Sequence, residues 1–184
     1  AQVDARRRQR LLAENLQQMR DEFRKKTSGQ FRDEMRDLRA DARDLAEKQE
    51  ELGKQLNEPA TPANTPALKS LDASSPREQM AQNFDKQTGQ LKDVQQRMQQ
   101  LSDEAEAAEP LLARQLYDTL RKTAQAGTED ALGRAGQLAR RGFTQQAKPF
   151  EQKARQEIQE LKTGVEKAAE SVLGDEAEAL RMAR

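Results

Sequence analysis

Residues 80–108 read MAQNFDKQTGQLKDVQQRMQQLSDEAEAA. Met80, Phe84, Gln87, Leu91, Val94, Met98, Leu101, Ala105 and Ala108 follow one another at steps of 4, 3, 4, 3, 4, 3, 4 and 3. A heptad sustained this long, with Gln87 its one polar member, holds a narrow stripe on one side of a helix as it supercoils against a partner. The organisation of the chain turns on what that stripe meets.

The same period recurs upstream in residues 30–57. Phe31, Met35, Leu38, Ala42, Leu45, Gln49, Leu52 and Leu56 step by 4, 3, 4, 3, 4, 3 and 4. The other faces carry Arg32, Asp33, Arg36, Asp37, Arg39, Asp41, Arg43 and Asp44. Opposite charges three and four residues apart contribute about 0.2–0.5 kcal/mol per pair to a helix. Asp33 stands three residues before Arg36 and Asp44 four before Lys48, while Asp37 and Asp41 each have an arginine within two residues, so the set reads as a solvated ion-pair face rather than a metal or acid–base site.

Residues 58–75 separate the two helices. Pro59, Pro62, Pro66 and Pro76 fall among Ala, Thr, Asn and Ser. Proline removes a backbone donor and pushes the preceding residue to extended geometry, so this is a linker, with Leu68 and Leu71 available to touch a neighbouring helix. Ser75-Pro76-Arg77-Glu78 then signals a helix start, with serine as N-cap, proline at the first position and glutamate at the third. Equal periods, similar lengths and a flexible connection predict an antiparallel coiled-coil hairpin.

Residues 1–57 form one long helix or two broken near 27–30. In the first part Leu12, Leu16, Met19 and Phe23 make an apolar stripe. Arg6, Arg7, Arg8 and Arg10 lie beside it; with Asp4, Glu14, Asp21 and Glu22 close by, they read as a solvated helix end. Phe23 to Phe31 is eight residues, which no 3/4 alternation produces. Gly29 and a Thr27/Gln30 capping pattern predict a break or kink there.

Residues 76–109 are the return arm, and Pro110 ends it. The chain beyond has a different texture, and a small bundle of short helices is expected over 110–184. Leu111, Leu112, Leu116, Tyr117 and Leu120 make the densest apolar patch. Gly127 stops a first helix, Thr128 caps a second running to about Arg141, and Gly142 stops that one. A longer helix starts at Thr144 or Pro149, carries Phe150, Ala154, Ile158, Leu161, Val165, Ala168 and Val172 on one stripe, and is interrupted near Gly174 before Leu180. Gly142, Ala147 and Ala154 echo the small-residue spacing of a tetratricopeptide helix pair. The large residue is displaced to Phe150 and no second copy follows, so helix-pair packing is the simpler reading.

Composition agrees. Hydrophobic residues make up 34% of the 184 and charged residues 35%, which suits thin helical seams better than a thick globular core. Lys plus Arg number 32 and Asp plus Glu number 32, so no net field draws the chain to nucleic acid or to anionic lipid. The sequence has no histidine, cysteine or tryptophan, which removes imidazole bases, thiol nucleophiles and zinc sites. No glycine-rich phosphate loop occurs, and Glu104, Glu106, Glu109, Asp175, Glu176 and Glu178 do not alternate as calcium-loop ligands do. No catalytic, cofactor-binding or metal-binding residue is therefore named, no cofactor is expected, and no enzymatic role. The start at Ala1 and the helical pattern at Arg184 suggest a piece of a longer protein.

Residues 45–58 (LAEKQEELGKQLNE) and 108–121 (AEPLLARQLYDTLR) resemble segments of large, helix-rich bacterial proteins of unknown function. Those are membrane-anchored proteins with long coiled-coil regions outside the cytoplasm. The resemblance spans residues 45–184, rests on charged-helix texture and the Glu109-Pro110-Leu111-Leu112 break, and implies a place in the bacterial cell envelope.

The fold class read here is thus all-α: an elongated antiparallel coiled-coil hairpin followed by a small helical bundle. The expected role is a non-catalytic spacer or protein-binding arm, with a protein partner or self-association through helical seams, or a partner at the Pro110 joint. Neither nucleic acid nor direct membrane contact is expected of this segment. The alternative is attachment to a membrane surface through the amphipathic stretches 150–172 and 12–23.

Overall fold

A computed structural model describes residues 2–58 and 75–182. The all-α class is as the sequence reads: the described residues form five helices and no strand. They are α1 (Gln2–Asn57), α2 (Pro76–Ala105), α3 (Pro110–Ala126), α4 (Thr128–Arg140) and α5 (Thr144–Met182). Most of the linker, with Leu68 and Leu71, lies outside the described residues, as do the side chains of Arg6, Arg7, Arg8, Arg10, Phe23, Asp175, Glu176, Glu178 and Leu180.

Several boundaries follow local chemistry. Ser75 caps α2, its Oγ accepting from Glu78 N at 3.3 Å, with Pro76 at the first position. Glu109 is driven to φ −132°, ψ 69° ahead of Pro110, which opens α3. Gly127 and Gly142 adopt positive φ, 71° and 82°, a conformation that side chains with a Cβ rarely tolerate. Thr128 is not the cap of α4. Gly127 takes that position, and the Thr128 hydroxyl turns back 3.5 Å from the Thr123 carbonyl.

The expected break at 27–30 does not occur. α1 runs unbroken through Gly29, and α5 likewise runs through Gly174. One glycine costs a helix about 1 kcal/mol, less than stripping the hydrogen bonds from two new helix ends. A shifted stripe also has little penalty where no helix covers it, and residues 11–22 are all exposed.

The arrangement of the helices differs from a free hairpin followed by a separate bundle. Residues of α1 meet α2 in falling order: Asp41 pairs with Arg97, and Gln87 Nε2 donates to the Leu45 carbonyl at 2.6 Å. Along the other flank of α1 runs α5, also antiparallel, with Arg43 Nε 2.8 Å from Glu166 Oε1 and Gln49 Nε2 3.2 Å from Glu151 Oε1. α3 and α4 lie end to end opposite α1, between α2 and α5. Ser102 donates to the Ala113 carbonyl, Lys92 pairs with Glu129, and Arg140 reaches Glu78 and Asp85. On the α5 side Thr119 abuts Gly164 and Arg134 lies over Phe150. Antiparallel neighbours all round make an up-down-up-down four-helix bundle whose third strut is bent at Gly127.

Its core is continuous through all five helices, from Phe31 and Met35 through Phe84 and Leu91 to Leu116, Leu132, Ile158 and Leu161. The reason lies in small buried residues that widen the heptad stripe of α1 and of α2. Ala42, Ala46, Gln49 and Gly53 of α1 are all buried, beside the Leu38, Leu45, Leu52 ridge. Small residues let backbones approach closely, so α1 takes α5 on this flank and α2 on the other. Ala81 and Ser102 widen the buried face of α2 in the same way. A helix that buries two flanks needs more than two positions in seven.

Candidate interaction surface

A length mismatch creates the most exposed apolar surface among the described residues. At 1.5 Å per residue α1 spans about 84 Å and α2 about 45 Å. The heptads of α2 cover α1 only from Phe31 to Leu56, and the N-terminal part of α1 projects beyond them as a single helix. There Leu12, Leu16 and Met19 are 62%, 64% and 67% exposed, while Phe31 is 3% exposed. Leu11, 53% exposed, widens the stripe. Leu12 to Leu16 to Met19 is a 4, 3 step, so the three side chains share one face. Ala13, Leu16, Gln17, Arg20 and Asp21 line a shallow groove beside it.

Monomeric proteins seldom leave a contiguous apolar stripe in water, and one rimmed by charge marks a contact surface. The spacing of this stripe suits a helix as its counterpart, through knobs set into the gaps of a facing helix. The sequence reveals the stripe, but its being uncovered depends on where α2 ends.

The joint at Pro110 is a lesser surface. Leu112 and Leu116 are buried and Leu120 partly so, while Leu111 and Tyr117 turn outward. The apolar patch expected there is thus divided between core and surface. A cleft with a volume of about 600 Å³ lies between α3 and α5, with Gln115, Thr119, Lys122, Gln159, Thr163 and Lys167 among its walls. Asp118 and Glu160 add carboxylates to these amides, hydroxyls and amines, so the walls offer hydrogen-bond donors and acceptors of both charges. Among the described residues no three carboxylates gather as a metal site would require.

The apolar stripe of the stretch 150–172 faces the bundle. Ala154, Ile158, Leu161, Val165, Ala168 and Val172 are inside the bundle, and Phe150 is partly covered. Among the described residues no helix is long and apolar enough to cross a bilayer.

Two polar residues missed as special by their heptad positions are Gln49 and Gln87, both buried. Gln87 donates to the α1 backbone, tying α2 to Leu45. Gln49 meets Glu151, a fully buried carboxylate whose pKa burial raises, against the lowering effects of the Gln49 hydrogen bond and the Arg155 charge. Glu151 precedes Ala154 by three on the apolar face of α5, the one signal in the sequence that its carboxylate points inward.

No family model, curated protein or solved structure matches this chain.

Proposed function

We propose that this chain is a non-catalytic interaction module, a four-helix bundle that carries a helical arm for association with another helix. The observation that carries the reading is the exposed stripe of Leu12, Leu16 and Met19 on an arm continuous with the core helix. An uninterrupted helix transmits position over its whole length, so the bundle fixes the direction in which the stripe is presented. The resemblance of residues 45–58 and 108–121 to helix-rich bacterial envelope proteins supports a spacer or scaffold role of the same kind.

The occupant proposed for the stripe is the arm of a second copy, in antiparallel register. Four arginines stand at positions 6, 7, 8 and 10, while Asp21 and Glu22 stand toward the other end. An antiparallel pair centred between Leu12 and Leu16 sets residues 6–10 of one copy beside 18–22 of the other, basic against acidic. A parallel pair sets arginines against arginines, which is unfavourable.

Sedimentation equilibrium of the whole chain, at low salt and over a range of concentrations, tests this. The expected mass rises toward twice the chain mass, and the double substitution Leu12→Glu, Leu16→Glu returns it to one. A mass of one chain at every concentration overturns the self-association. Co-sedimentation with anionic vesicles, absent with neutral ones, would favour a lipid surface as the occupant instead.

A further inference from the structure

Glu151 is the only charged residue in the core among the described residues. Its Oε1 accepts from Gln49 Nε2 at 3.2 Å, and Arg155 Nε lies 3.7 Å from the same oxygen. Two buried atoms are left over. Glu151 Oε2 and Gln49 Oε1 each have no hydrogen-bond partner. With the carboxyl ionised both are acceptors, and neither can satisfy the other.

Gly53 closes the site from α1. A Cβ there would lie 2.6 Å from Glu151 Oε1 and 3.1 Å from Oε2, so the carboxyl is pressed against the α1 backbone where only glycine leaves room. Buried acceptors without donors cost more than an ordinary hydrogen bond returns, and a buried charge costs more still.

We propose that Glu151 is protonated in the folded bundle and closes a two-hydrogen-bond ring with Gln49, the amide N–H donating to Oε1 and the carboxylic O–H on Oε2 donating to the Gln49 carbonyl. One proton taken from solvent satisfies both leftover atoms and removes the buried charge. The ring is a reciprocal acid–amide pair that sets the register of α1 against α5, as single polar residues do in coiled-coil seams.

The charged groups around it do not oppose this strongly. From α1, Glu151 faces the uncharged Gln49 and Gly53, while Glu50 and Lys54 pair with each other at the surface, 3.3 Å apart. From α4, Arg134 is engaged with the Phe150 ring, 5.7 Å from its centroid. On α5 itself Arg155 favours the ionised form, but it is partly solvated and its approach is loose. Burial outweighs it and the Gln49 bond, and holds the carboxyl above the ordinary value of 4.5.

The sign of the pH dependence follows. The folded chain holds the Glu151 proton to a higher pH than the unfolded chain. Its stabilising contribution is complete below the unfolded value and is lost as pH rises through the folded one. The bundle therefore contains a carboxyl that loosens the α1–α5 seam on alkalinisation, independently of what the arm binds.

Carbon-detected NMR titration of the Glu151 Cδ in the folded whole chain tests the proposal, with thermal melts of the chain and of Glu151→Gln across the same pH range. Glu151→Gln keeps a donor and an acceptor but does not titrate. The expected Cδ midpoint lies above 4.5, and the melting temperature of the unmodified chain falls, relative to Glu151→Gln, as pH rises above that value. A Cδ midpoint at or below 4.5 overturns the proposal, as does an identical pH slope for the two proteins. The titration decides alone if the variant does not fold.

Discussion

A Cβ built on Gly164 of α5 would lie 2.4 Å from Oγ1 and 2.5 Å from Cγ2 of Thr119 on α3. The Thr119 hydroxyl is itself bound to the Gln115 carbonyl at 2.8 Å, so the side chain has little freedom to yield. Gly164→Ala is therefore expected to lower stability by about 1–3 kcal/mol through overpacking, despite the gain in helix propensity. Gly89, exposed on α2 with nothing within 4 Å, gives the opposite sign for the same change. Gly89→Ala should raise stability by about 0.5–1 kcal/mol. Urea unfolding of both variants separates close helix contact from helix propensity.

Leu91 is fully buried on α2, in the cluster that also contains Leu45 and Leu132. Leu91→Ala should lower the unfolding free energy by about 2–5 kcal/mol, the cost of lost burial plus the cavity left behind. Leu91→Glu and Met98→Glu should lower helicity by circular dichroism as well as the melting temperature. Unchanged melts would mean that the α2 heptad is not a packing face.

The boundary between arm and bundle can be located with two substitutions. Phe31→Ala removes a side chain only 3% exposed and should cost about 3–5 kcal/mol. Met19→Ala, three turns earlier and 67% exposed, should change stability by less than about 0.5 kcal/mol in dilute solution. Melting both at low protein concentration checks this, since association through the arm would add a concentration-dependent term.

Ser75→Ala removes the side-chain acceptor of Glu78 N at the start of α2 and should cost about 1 kcal/mol. Ser75→Asp retains a capping oxygen and should restore most of that loss. Amide hydrogen exchange at Glu78 is the local readout, faster in the alanine variant and near normal in the aspartate one.

How much of the molecule is visible in its sequence depends on the range of the forces concerned. Helix ends governed by one or two residues read off directly: the Ser75-Pro76 start, the Glu109-Pro110 turn, and the positive-φ glycines 127 and 142. Gly29 and Gly174 misled because a lone glycine is a small bias that helix propagation overrides. The heptad ridges of α1, α2 and α5 stand out because Leu, Met, Phe and Ile carry strong hydrophobic periodicity. Ala46 and Gly53 lie off that ridge and carry little, and Gly53 is where the Glu151 carboxyl of α5 packs. Of the interaction surface, the Leu12, Leu16, Met19 spacing was legible and its exposure was not.

That the chain is helical, where α2 and α3 begin, where α3 and α4 stop at glycines, and which ridge of each long helix is apolar can all be read from the residues alone. Those are local matters of capping, backbone geometry and a 3/4 period. Tertiary packing alone reveals that four struts share one core, that residues 11–22 of the arm are uncovered, and that Glu151 is enclosed against Gly53 and Gln49. Burial is a property of neighbours: a period states which face seeks a partner, whereas the length and placement of the other helices decide whether it finds one.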